Sequence, residues 1–76
     1  MTEDDIIQRG FRARALLEND DIKQAFEDID RELFMEWKMA RTEQQRESLH
    51  ATERALERLS MRLHSWADEL TRRNID

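Results

Sequence analysis

Leucine recurs at positions 49, 56, 63 and 70, one every seventh residue, with Gln45, Thr52, Leu59 and Trp66 at the intervening apolar-seam positions. A 3.5-residue repeat held for almost four heptads favours helices that supercoil left-handedly against a neighbour. Ser48, Ala55, Ser60 and Ala67 flank this seam. Small flanking residues admit more than one neighbouring helix, which suits a helical bundle better than a two-stranded coiled coil. One glycine, no proline and 41% charged residues leave no turn signals for a sheet. The expected fold is therefore all-α.

Two further helices are predicted upstream. Thr2 and Asp5 form a T-x-x-D capping pair, so a first helix is expected over about 3–18, with acids in its first turn complementing the helix dipole. Its stripe of Ile6, Gly10, Ala13 and Leu17 is narrow. Gly10 costs about 1 kcal/mol relative to alanine inside a helix, which leaves either a close approach of another helix or a tolerant site. The run Glu18-Asn19-Asp20-Asp21 interrupts the pattern, with Asn19 a candidate left-handed cap and Asp21 with Gln24 a second capping box. A second helix is expected over about 22–41, with Ile22, Ala25, Phe26, Ile29, Leu33, Trp37 and Ala40 on one face. Thr42 with Gln45 opens the long third helix over about 43–72.

Stripe matching pairs the second and third helices as a long antiparallel hairpin. Trp37 then lies near Leu49, Ile29 near Leu56, Phe26 near Leu59 and Ile22 near Leu63. The expected core is Ile22, Phe26, Ile29, Leu33, Trp37, Leu49, Leu56, Leu59 and Leu63. This register leaves Trp66 and Leu70 beyond the end of the second helix. Phe34, Met35 and Met39 project from its flank or back, and adaptable methionine surfaces are common at interfaces. The expected protein-contact surface is thus Phe34, Met35, Met39, Trp66 and Leu70.

Size supports an associating chain. With 76 residues it is a single domain, residues 1–76, whose last few residues are expected to fray. Domains this small bury little more than about 60% of their unfolded surface. No cysteine is present to form a disulfide, and two histidines without cysteine do not suit a structural zinc site. Self-association, with a closed two-fold dimer preferred, or docking on a larger protein is expected instead. No apolar run approaches a membrane span, and the start MTEDDIIQRG is acidic where a signal peptide is basic, so a soluble, cytoplasmic protein is expected.

Catalytic chemistry is not indicated. His50 and His64 stand 14 residues apart, too far along one helix to share a metal. Cysteine nucleophiles, a glycine-rich phosphate loop and an H-E-x-x-H pattern are all absent from the sequence. The acids at 27, 28, 30, 32 and 36 spread around their helix, whereas acid–base catalysis needs a cleft that raises a pKa. A non-enzymatic protein without cofactors is expected. The net charge of −5, with −6 over residues 1–37 and +1 over 38–76, argues against nucleic acid as the main partner. Arg54, Arg58 and Arg62 nevertheless make a basic stripe, the possible nucleic-acid contact, with pairing to nearby acids as the plainer account. The acidic face also fits an inhibitor that imitates nucleic acid toward a host protein.

The order QRGFRARALLEND, AFEDIDRELFMEWK, a short polar break and QRESLHATERALERL resembles small helical proteins encoded in the head-assembly gene clusters of tailed bacteriophages. Arg9-Gly10, Leu16-Leu17, Ala25-Phe26, Trp37 and Arg46-Glu47 carry the likeness over residues 8–65. Such proteins often have a proline-bearing turn after the tryptophan, where this chain has MARTEQQ. The resemblance implies a virion-assembly or head-associated role, in the host cytoplasm or the virion, and supplies no active site. A small DNA-binding assembly factor like a terminase small subunit is the alternative, and there the arginine stripe would matter.

Overall fold

A computed structural model describes residues 1–75 and contains three helices, α1 (Glu3–Glu18), α2 (Asp20–Met39) and α3 (Glu43–Arg72). Side-chain caps set their ends, since the first N–H groups of a helix have no partner within it. Thr2 Oγ1 accepts from the Asp5 N–H at 3.1 Å, and Asp5 Oδ2 accepts from the Thr2 N–H at 3.2 Å, completing the expected box. The Thr2 N–H, with the Thr2 hydroxyl beside it, holds the Asp5 carboxyl below its usual pKa. At α3, Thr42 Oγ1 accepts from the Gln45 N–H while Gln45 Oε1 accepts from the N–H groups of both Thr42 and Arg41. That double acceptance turns the chain sharply, and α2 ends at Met39, two residues earlier than the pattern suggested.

The junction between α1 and α2 departs from expectation. Asn19 alone serves as the C-cap of one helix and the N-cap of the next: its N–H donates to the Leu16 carbonyl at 3.2 Å, and its Oδ1 accepts from the Ile22 N–H at 2.9 Å. Its backbone is extended, with φ −71° and ψ 123°, not left-handed. The Asp21–Gln24 box does not form, because Asn19 already caps α2 and the Gln24 amide donates to Asp28 instead. The left-handed residue is Asn74, φ 58°. There the Ile75 N–H reaches the Leu70 carbonyl at 2.8 Å and the Asn74 N–H that of Thr71 at 3.0 Å, a Schellman closure of α3. The last residues are therefore capped through Ile75; Asp76 lies outside the described residues.

The 30 residues of α3 form the spine of a molecule 49 × 24 × 16 Å. A one-residue break cannot reverse the chain, so α1 and α2 follow one another along this spine, both antiparallel to it. α1 packs on the C-terminal half, and most of the interhelical contact is there. α2 accompanies the N-terminal half and stands farther off.

The buried core lies under α1. Gly10, Ala13, Leu63 and Leu70 are its buried residues, and Leu70 is 0% exposed. Gly10 allows the approach: a Cβ there would lie 2.9 Å from the Trp66 carbonyl oxygen and 2.9 Å from Leu70 Cγ. Of the nine residues expected to form the core, only Leu63 is buried. α2 buries no residue, and Trp37 and Leu59 are 45% and 50% exposed. The apolar stripes of α2 and α3 do face each other, but across a gap.

At the far end Arg73 pairs with both Glu3 and Glu69, tying the start of α1 to the end of α3. The Arg73 guanidinium holds the Glu3 carboxyl below its ordinary pKa. A carboxylate depressed on folding stabilises the fold above its unfolded pKa, and the contribution is lost as pH falls through the folded value. Glu3→Gln is expected to lower the melting temperature slightly at pH 7. The gap should close below pH ~4 and narrow in high salt, as for any exposed pair. A gap unchanged in acid would remove the Glu3–Arg73 pair as its cause.

Candidate interaction site

The space between α2 and the first half of α3 is an open groove of about 820 Å³. Its apolar lining comes from both helices: Phe26, Leu33, Phe34 and Trp37 on α2, with Phe26 and Leu33 one heptad apart and Trp37 one turn beyond, and Leu49 and Leu56, also one heptad apart, on α3. This is the leucine seam seen from its open side. In α1 the small residues Gly10 and Ala13 let the backbones meet, whereas α2 presents Phe26, Leu33 and Trp37 to α3. Bulky side chains facing bulky side chains hold the helices apart. The Arg46 guanidinium lies 5.6 Å from the Trp37 ring and the Lys38 ammonium 4.9 Å from the Phe34 ring, so cations border the aromatic end. Asp30, Glu53, Glu57 and the His50 imidazole belong to the polar lining.

The residues expected at the contact surface separate into four places. Phe34, 58% exposed, lines the groove. Met35 stands among Asp28, Arg31, Glu32 and Glu36 on the outer side of α2, and Met39 lies beside Ala40, Gln45 and Ser48 near the interhelical turn. Trp66 and Leu70 require a correction: they are not an uncovered overhang. Leu70 is sealed beneath Gly10, and Trp66 is half-buried with the Arg9 guanidinium 4.5 Å from its ring centre. The reason is α1, which runs on from α2 along α3 and covers what α2 leaves behind. Phe26, Leu33, Trp37, Leu49 and Leu56 enter the site in their place. Sequence periodicity marked all five as apolar, but assigned them to a closed intrachain core.

Arg54, Arg58 and Arg62 share an exposed face of α3 with Glu57, Met61 and Ser65. Among the described residues none of the three has an acidic partner within 4.0 Å. No aromatic residue stands between them as a base-stacking platform would require. No described helix is long and apolar enough to cross a membrane. Compared with family models, curated proteins and solved structures, the chain matches none.

Proposed function

We propose that this chain is a non-enzymatic assembly protein that acts by docking a helical protein surface into the α2–α3 groove. The observation that carries the reading is the groove itself: six large apolar side chains from two helices converge on one open channel, in a chain whose buried hydrophobic residues are Ala13, Leu63 and Leu70. Apolar surface gathered in this way marks association sites in soluble proteins. The four-helix or helix-in-groove arrangements that cover such channels use heptad-spaced anchors of the kind found here. Acid–base chemistry would need a carboxyl or imidazole held in a closed cleft, and the groove carboxylates stand on an open rim. The virion-assembly role implied by the resemblance to phage head-cluster proteins is one form of this reading, supported by the quoted residues alone.

The test is a photo-crosslinking probe, p-benzoylphenylalanine, in place of Phe34, with the same probe at Arg58 on the arginine face as control. Irradiated in extracts of cells that produce the chain, the Phe34 probe is expected to capture a protein, including another copy, that the control does not. Equal capture from both positions, or none, would sink the proposal.

A further inference from the structure

Resting on the reading of the groove as a docking surface, we infer that its occupant is a second copy of this chain, seated by a two-fold antiparallel pairing of the α3 helices. The first support is area. The chain exposes 6239 Å², whereas a compact monomer of its mass would expose about 4,900 Å². The excess of about 1,300 Å² exceeds the ~800 Å² per partner of a standard interface and reaches the range of obligate dimers. The radius of gyration agrees: 16.1 Å against about 11 Å for a compact chain of this length. One copy is half of an object that is compact only when doubled.

The second support is charge, and it chooses the partner. Along the groove side of α3, Arg46, His50, Glu53 and Glu57 succeed one another at spacings of four, three and four residues, which places them in one stripe on the helix. The basic members come first and the acidic ones last. A two-fold axis crossing α3 between Ala51 and Thr52 sets Arg46 opposite Glu57 of the partner subunit and His50 opposite Glu53 of the partner subunit, each pair occurring twice. One axis serves both pairs. Asp30 lines the same groove from α2, and the antiparallel register of α2 on α3 sets it near the level of Glu57, within reach of the same partner arginine. Among the described residues Arg46, Asp30, Glu53 and Glu57 have no intrachain ion-pair partner. Pairing the grooves face to face also brings Phe34 and Trp37 of each copy onto the other copy's helices, giving a four-helix core from two open halves.

The test is charge reversal on the purified full chain, read as molar mass by light scattering across a hundredfold dilution, with helicity followed by circular dichroism. The unaltered chain is expected at twice 9.2 kDa. Arg46→Glu and, separately, Glu57→Arg are each expected to weaken the dimer about tenfold or more, because like charges then face each other twice. The double variant Arg46→Glu with Glu57→Arg is expected to recover most of that loss. Glu57→Arg keeps the test usable if Arg46→Glu disturbs the stacking on Trp37. A dimer indifferent to reversal, an unrescued double variant or a larger oligomer would overturn this pairing. A helical monomer at every dilution would overturn the second copy as occupant. The Phe34 probe then separates the two ideas: capture of a different protein leaves the docking reading standing, and no capture removes both.

Discussion

Replacing Leu70 with alanine is expected to destabilise the protein by about 2–5 kcal/mol and to detach α1 from α3 before the rest of the chain melts. Leu70 is 0% exposed, the most deeply buried large side chain in the structure. It packs under Gly10, where no neighbouring side chain on α1 can move in to fill the space left behind. A truncated leucine that cannot be replaced by collapse of its surroundings costs most. The helix lost with it would be α1, since the other buried hydrophobic residues, Ala13 and Leu63, belong to the same contact between α1 and the end of α3. Hydrogen exchange under native conditions checks this: amides of residues 7–18 should lose protection while those of residues 50–60 keep theirs. Uniform loss, or a change below about 1 kcal/mol, would mean that α1 does not depend on this anchor.

Gly10→Ala tests the same contact from the other side and has the opposite sign to the usual rule. In a solvent-facing helix interior that substitution stabilises by about 1 kcal/mol. Here the new methyl would lie 2.9 Å from the Trp66 carbonyl oxygen, a backbone atom that cannot swing aside. α1 would have to rise from α3, losing cover over Leu70. Overpacking of this kind costs about 1–3 kcal/mol, enough to offset the helix propensity gained. A net loss of stability is therefore expected, with a melting temperature several degrees lower, at about 4–8 °C per kcal/mol for a domain of this size. Ala15→Gly, on the exposed side of α1, serves as reference and should show the ordinary ranking, alanine above glycine. A higher melting temperature for Gly10→Ala would show that the two backbones are not in close contact. Both comparisons require one protein concentration, because association contributes to apparent stability.

Helix content and the starts of α1 and α3 were legible from residues. Thr2 with Asp5 and Thr42 with Gln45 are local signals, complete within four residues, and the hydrogen bonds they specify are present. The apolar face of α3 was equally legible, since periodicity reports which side of a helix seeks cover. Periodicity does not report what supplies the cover. The stripes of α2 and α3 match almost residue for residue, and that match suggested a closed hairpin with Trp66 and Leu70 left over. The structure shows the contact distributed differently, with α1 bearing most of it.

What the sequence by itself determined is an all-α chain of three helices, with the caps that open the first and third, and a long leucine seam, because caps and apolar spacing act over one or two turns. Only the tertiary structure decided which helix closes on that seam. Two features settled it: Asn19 joins α1 to α2 without reversing the chain, and Gly10 and Ala13 leave room for backbones to meet where Phe26, Leu33 and Trp37 do not. Small residues pack close and bury Leu70; large residues facing large ones hold α2 away and leave a groove. The difference is one of side-chain volume across a contact. A single helix's pattern cannot express it, because the quantity belongs to two helices at once.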